Sequence, residues 1–170
     1  MEQQIKRSLD GLYDLLEKEI LCYRRLIHVL KKKSEGLRKG SVHALIQAVE
    51  EMDSTREDIL RIGLQIQESI GEVLDMSGAE RGDRTLSSLL AVLPSASHRQ
   101  LKSYQRNLFQ LKEWARQIND QNRLFIQESL AYVNEFISLL TQPVSEFQGY
   151  HQTGRQTPPA CYPLSLDREV

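Results

Sequence analysis

The chain has 170 residues, with 22 Lys or Arg against 23 Asp or Glu and a formal net charge of −1. This balance excludes a broadly cationic nucleic-acid binder, which needs a clustered basic face to neutralise phosphates. No apolar run approaches the roughly 20 residues of a membrane span, and we expect no signal peptide because the start lacks an apolar core. Cys22 and Cys161 are too far apart to suggest a disulfide framework, so the expected compartment is the cytoplasm.

Helix-breaking residues are confined to a few places. Four of the five prolines lie at or after position 143, and the fifth is Pro94. Glycine is scarce within three long stretches, and the sequence therefore predicts three long helices, at about 2–38, 41–75 and 97–142.

The expected boundaries have specific capping residues. Gly40 can adopt the left-handed conformation that ends a helix, and Ser41 can cap the next helix. Ser97 and Gln100 have the spacing of a capping box. Between the second and third long helices, residues 85–93 are predicted to form a short linking helix.

Apolar residues recur every three or four positions in each long stretch, as helices that pack on other helices require. The first stripe is Ile5, Leu9, Leu12, Leu16, Glu19, Tyr23, Leu26, Leu30, Lys33 and Leu37. The second is Val42, Leu45, Val49, Met52, Arg56, Ile59, Gly63, Ile66, Ile70 and Val73. The third is Leu101, Tyr104, Leu108, Leu111, Ala115, Ile118, Asn122, Phe125, Ser129, Tyr132, Phe136 and Leu139.

These patterns predict an all-α fold: an antiparallel bundle of three long helices with a short linking helix and a flexible C-terminal tail. The bundle domain is expected at 1–142 and the Pro-rich tail at 143–170. Polar residues within the stripes have structural interpretations. Glu19 and Arg56 are expected to pair across adjacent helices, and Asn122 is expected to fix register or oligomeric state.

Motifs for catalysis and metal binding are missing from the sequence. It has no glycine-rich phosphate loop, no Glu-x-x-His motif, and no Cys-x-x-Cys or His-x-x-x-His pair for zinc. We therefore predict that the protein is not an enzyme and uses no cofactor, metal or small-molecule substrate. Its function is expected to lie in binding another macromolecule.

The relative lengths of the helices suggest where such a partner binds. At 1.5 Å per residue, the first helix is about 55 Å long and the third about 69 Å. If residue n of the first helix lies level with about n+92 of the third, the turns at 131–142 extend past the end of the hairpin. A surplus apolar patch is typical of an interaction site. We place partner contacts there, with support from the tail, at Tyr132, Val133, Phe136, Ile137, Leu140 and Phe147.

The same apolar patch also fits three structural roles. It can seal a homodimer, or it can be covered by the tail or by the short helix at 85–93. The alternative function is a self-associating structural coiled-coil protein, in which the exposed stripe serves only self-association.

Four short segments resemble the FlgN family of bacterial flagellar export chaperones. In the first helix, the matching residues are 15–19, Tyr23 and Leu26-Ile27, followed by the Leu-x-x-Gly-Ser turn at 37–41. The resemblance continues at the Thr-Leu-x-x-Leu element of 85–90 and at Ile118-Asn119 followed by Asn122, Leu124 and Phe125. It ends at 149–154, where Tyr150 lies four residues before a glycine. The similarity covers about residues 5–154.

The resemblance implies a cytoplasmic chaperone of type III export that uses no ATP or metal. Such a chaperone binds the C-terminal helical segments of hook-associated proteins, which join the flagellar hook to the filament. It prevents their premature assembly and delivers them to the membrane protein of the export gate. The family's tail tyrosine is associated with docking at this gate, and the matching residue here is Tyr150.

Overall fold

The computed structural model describes residues 2–77 and 84–141, apart from the side chains of Glu2, Ser95 and Ala96. These residues form four helices and no strand: α1 (Glu2–Lys39), α2 (Val42–Met76), α3 (Leu86–Val92) and α4 (Ser95–Thr141). The predicted all-α fold of three long helices and a short linking helix is confirmed. The predicted tail, 143–170, lies outside the described residues.

A two-residue turn joins α1 to α2. Gly40 has φ +63°, a backbone conformation that costs glycine little because it has no Cβ. Its N–H donates to the Leu37 carbonyl oxygen over 3.2 Å, and the Ser41 N–H donates to the Gly36 carbonyl oxygen over 3.0 Å. This pair of bonds is a Schellman motif. The Ser41 hydroxyl then accepts the N–H of Ala44 and caps α2, as the sequence predicts.

The helices α1 and α2 pack antiparallel and close together near this turn. Lys32 Nζ lies 3.0 Å from a carboxylate oxygen of Glu51. Nearer the turn, a Cβ added to Gly36 would lie 3.1 Å from the Leu45 side chain. Such a close approach favours small side chains along the contact line between the two helices.

In the first half of α2, the predicted stripe is therefore only partly buried. Val42 and Val49 are exposed, as is Arg56, although all three belong to the predicted stripe. Ala48 and Thr55 are buried in their place, and the Thr55 hydroxyl donates to the carbonyl oxygen of Glu51. The prediction is wrong here because it follows the larger apolar residues, whereas the packed line uses small ones.

The linking helix and the start of α4 have distinct capping. Thr85 caps α3 by accepting the N–H of Ser88 over 3.2 Å. The capping box predicted from Ser97 is wrong, because α4 begins two residues earlier and the N–H of Ser97 donates to the carbonyl oxygen of Pro94. Pro94 cannot donate a backbone hydrogen bond and is tolerated at such a helix start.

The helices α1 and α4 run in the same direction. The rings of Tyr13 and Tyr104 stack with centroids 5.7 Å apart, and further along both helices Asn122 bonds to the carbonyl oxygen of Leu30. With α2 antiparallel to α1, this gives the predicted up-down-up order. The assumed offset of 92 positions between α1 and α4 equals the separation of Leu30 and Asn122.

The chain divides into two compact units, Met1–Ile126 and Gln127–Val170. In the first unit, all four helices contribute to one hydrophobic core. Its buried members are Leu9, Leu12, Leu16, Ile20, Ile27, Leu30, Ile62, Ile66, Ile70, Val73, Leu74, Leu89, Leu93, Leu101, Leu108, Leu111, Ala115 and Ile118. The described part of the second unit is the C-terminal part of α4. The domain boundary predicted between 142 and 143 stays a prediction.

Candidate protein-binding surface

The apolar stripe of α4 is buried only as far as Asn122. Leu101, Leu108, Leu111, Ala115 and Ile118 are all core residues, and Asn122 is 4% exposed. The next stripe position, Phe125, is 41% exposed. The spacing of apolar residues continues unchanged after this point, so the burial of the stripe ends although its sequence pattern does not.

In the second unit, every residue from Gln127 to Thr141 is exposed. Five of the predicted contact residues lie here on α4, with exposures between 49% and 72%: Tyr132, Val133, Phe136, Ile137 and Leu140. The sixth predicted contact residue, Phe147, and the predicted gate-docking residue, Tyr150, lie outside the described residues. Leu130 and Leu139 are equally exposed, and the predicted site does not include them although their helical spacing places them beside it.

The seven large apolar residues of this segment share one side of the helix. At about 100° per residue, they cover an arc of about 180°. They are Leu130, Tyr132, Val133, Phe136, Ile137, Leu139 and Leu140, and we call them the apolar face. This arc is wider than the narrow a/d stripe of a two-stranded coiled coil.

The segment 127–141 carries only negative charge. Glu128 and Glu135 are its only charged residues. They are seven positions apart, about two helical turns, and fall at the same edge of the apolar face. A partner with a basic residue beside its own apolar surface would complement this edge.

Asn122 forms a polar contact with α1 at the last buried turn of α4. Its Nδ2 donates to the Leu30 carbonyl oxygen over 3.1 Å. The hydroxyl of Ser34 donates to Asn122 Oδ1 over 2.6 Å. The contact supports the predicted structural role of Asn122, because it ties α4 to one position along α1. The part played by Ser34 was not predicted, because its position in the sequence gives no sign that it bonds to α4.

Glu19 pairs with α4 rather than with α2. Its carboxylate lies 3.1 Å from Lys112 Nζ and is almost buried. The predicted pair with Arg56 is wrong because Glu19 faces α4. Lys112 Nζ also lies 5.2 Å from the centre of the Tyr23 ring. Burial raises the pKa of the Tyr23 hydroxyl, and the Lys112 ammonium partly opposes this rise.

A second tyrosine bonds across the same pair of helices. The Tyr104 hydroxyl donates to a carboxylate oxygen of Glu17 over 2.7 Å. Burial is the main cause that raises the pKa of Tyr104, and the bond to Glu17 adds to it because the carboxylate stabilises the protonated phenol. Burial likewise raises the pKa of the Cys22 thiol, which disfavours the reactive thiolate.

The described part of the chain has neither a metal-binding cluster nor a membrane span. Among residues 2–77 and 84–141, no three His, Cys, Asp or Glu side chains are grouped so as to hold a metal ion. No helix within these residues combines the length and apolar character needed to span a membrane.

These observations define an all-α protein built on a helical bundle. Comparison with known families gives its class: the family model described as FlgN protein matches residues 1–158, and the chain belongs to this family. FlgN proteins are chaperones of flagellum biogenesis and type III export, so the general role is that of a flagellar export chaperone. No curated protein and no solved structure matches the chain.

Proposed function

We propose that the protein is a cytoplasmic chaperone for hook-associated proteins. It binds their C-terminal helical segments, prevents premature assembly and delivers them to the type III export gate. The observation that carries the proposal is the apolar face on residues 127–141, which is exposed in a chain of the FlgN family. A segment that would otherwise self-associate needs a substitute apolar partner, and an exposed amphipathic helix offers one.

The width of the apolar face indicates what kind of partner it fits. One helix packed on another covers a narrow stripe, whereas the arc here spans about 180°. Two helical segments of a partner, lying side by side with the apolar face in the groove between them, would cover it. We therefore expect the bound part of the client to present a helical pair, with a basic residue close to Glu128 or Glu135.

The energy available from two of these side chains sets the size of the expected effect. Full burial of a Phe or Leu side chain contributes about 1.5–3 kcal/mol. Phe136 and Leu140 are 53% and 59% exposed in the free protein. Burying the exposed part of both side chains against a client therefore contributes about 2 kcal/mol in total. Losing this contribution weakens binding by roughly thirtyfold.

The test is co-purification with a hook-associated protein of the same organism. We expect the double substitution Phe136→Ser with Leu140→Ser to reduce co-purification sharply, as a roughly thirtyfold loss of affinity requires, while the circular dichroism spectrum remains helical. The matched control is Leu60→Ser with Leu64→Ser, because these two leucines have the same four-residue spacing and are also highly exposed on a long helix. If the first double variant binds its client as tightly as the parent protein does, or if both variants lose binding equally, the apolar face is not the client site.

Self-association is the second candidate function, and one observation favours it. Leu130, Val133, Ile137 and Leu140 are exposed with the alternating three- and four-residue spacing of a coiled-coil seam. Light scattering over a range of concentrations separates the two functions. A tight oligomer with no binding to hook-associated proteins would support the structural coiled coil, and a monomer that binds them would support the chaperone.

A further inference from the structure

A groove opens between α1, α2 and α4 within the unit Met1–Ile126. Its volume is about 540 Å³, which is in the range of sites that hold ligands or anchor side chains. Leu26, Leu30, Met52 and Ala115 supply its apolar surface. None of the residues that we assign to the client site contributes to it.

Ala115 lines the groove and has the smallest side chain in the buried stripe of α4. Its neighbours in the buried stripe of α4 are Leu111 and Ile118. Leu111 and Ile118 fill the space beside their own positions on α4, whereas the methyl group of Ala115 leaves the space beside it open. On α2, the exposed side chain of Arg56 lines the groove.

The charged residues that line the groove are all basic. Arg56, Lys112 and Arg116 line it, and no lining residue is acidic. The charge of Lys112 is offset by Glu19 at 3.1 Å, and Arg116 lies 3.8 Å from both Glu113 and Asp120. Arg56 forms no ion pair with any other residue in the described ranges, in a chain whose net charge is −1. The groove thus offers a carboxylate an open cation beside an apolar floor.

We propose that this groove binds an acidic amphipathic helix of a partner protein. An apolar side chain of that helix occupies the space over Ala115, and a carboxylate one turn away pairs with Arg56. Helix-in-groove recognition uses such apolar anchors, and the flanking charge sets which helices are accepted. This second site would let the chaperone hold another protein while the apolar face holds its client.

The test uses two labelled helical peptides and the full chain, with binding followed by fluorescence anisotropy. The first peptide has leucines at positions i, i+4 and i+7 flanked by glutamates, and in the second every glutamate is replaced by lysine. We expect the glutamate peptide to bind at least about tenfold more tightly. Arg56→Glu should weaken its binding by about tenfold or more, and raising the salt concentration should weaken it as well.

The matched control is Arg7→Glu, which makes the same charge change at another exposed position outside the groove. Equal affinity for the two peptides, or equal losses from Arg56→Glu and Arg7→Glu, would overturn the proposal. Loss of peptide binding in the Phe136→Ser, Leu140→Ser variant but not in Arg56→Glu would place the peptide on the apolar face. That result would reject the groove site and leave the client-binding proposal standing.

Discussion

Asn122 donates a hydrogen bond to the carbonyl oxygen of Leu30, which lies 92 positions earlier in the chain. Removing a buried hydrogen-bonding partner costs about 1–3 kcal/mol, so we expect Asn122→Ala to lower the free energy of unfolding by that amount. Urea denaturation followed by circular dichroism measures it. Asn119→Ala is the control, because Asn119 is exposed on the same helix one turn earlier, and a loss of equal size there would contradict the structural role of Asn122.

Alanine substitutions at Gly40 and at Gly11 are expected to change the stability of the protein in opposite directions. Gly40→Ala forces an alanine into φ +63°, and we expect it to reduce stability by about 1–2 kcal/mol. Gly11 lies inside α1, with open space where a Cβ would be added. Gly11→Ala should therefore stabilise the protein by about 0.5–1 kcal/mol. Thermal unfolding of the two variants should shift in opposite directions, and shifts of the same sign would refute the assigned role of Gly40.

Stability is expected to fall in alkaline solution because of Tyr23 and Tyr104. Folding raises the pKa of both hydroxyls above the ordinary value of 10.0. The native state therefore holds these protons more tightly than the unfolded chain does. The stabilisation is fully present below pH 10 and is lost as the pH rises through the folded pKa.

Urea midpoints measured between pH 8 and pH 11.5 test this expectation. Tyr23→Phe and Tyr104→Phe should each make the alkaline decrease in stability shallower, because phenylalanine has no proton to lose. Parent-like slopes in both variants would show that other groups cause the decrease.

Tyr150 in the tail is predicted to dock at the export gate, so a substitution there should affect delivery of the client without affecting its binding. We expect Tyr150→Ala to retain binding to a hook-associated protein and to reduce the amount of that protein secreted into the medium. Tyr162→Ala is the matched control, since Tyr162 lies in the same tail outside the family motif. Normal secretion by the Tyr150 variant, or equal defects in both variants, would remove Tyr150 from the docking role.

The sequence predicted α1 and its packed side well, and α2 less well. The stripe of α1 is made of large apolar residues such as Leu12 and Leu16, which are fully buried. In α2 the close approach of two helices places Ala48 and Thr55 in the core. Small residues carry little hydrophobic signal, so a pattern based on large apolar side chains cannot detect them.

The candidate surface shows a different limit of prediction from sequence. Ile118 and Phe136 belong to one regular stripe, yet the first is buried and the second is exposed. Periodicity reports which side of a helix is apolar, but it does not report what covers that side. The polar partners are harder still, because the contacts of Lys112 with Glu19 and of Ser34 with Asn122 depend on the alignment of α1 with α4.

The short turn at Gly40 also bears on the order in which the protein folds. Contacts between α1 and α2 join residues that are close in sequence, such as Lys32 and Glu51, 19 positions apart. Closing such a short loop costs less chain entropy than bringing α4 to α1 across about 90 residues. We expect the hairpin to assemble on the ribosome as soon as α2 emerges, with α4 docking afterwards as the slower step.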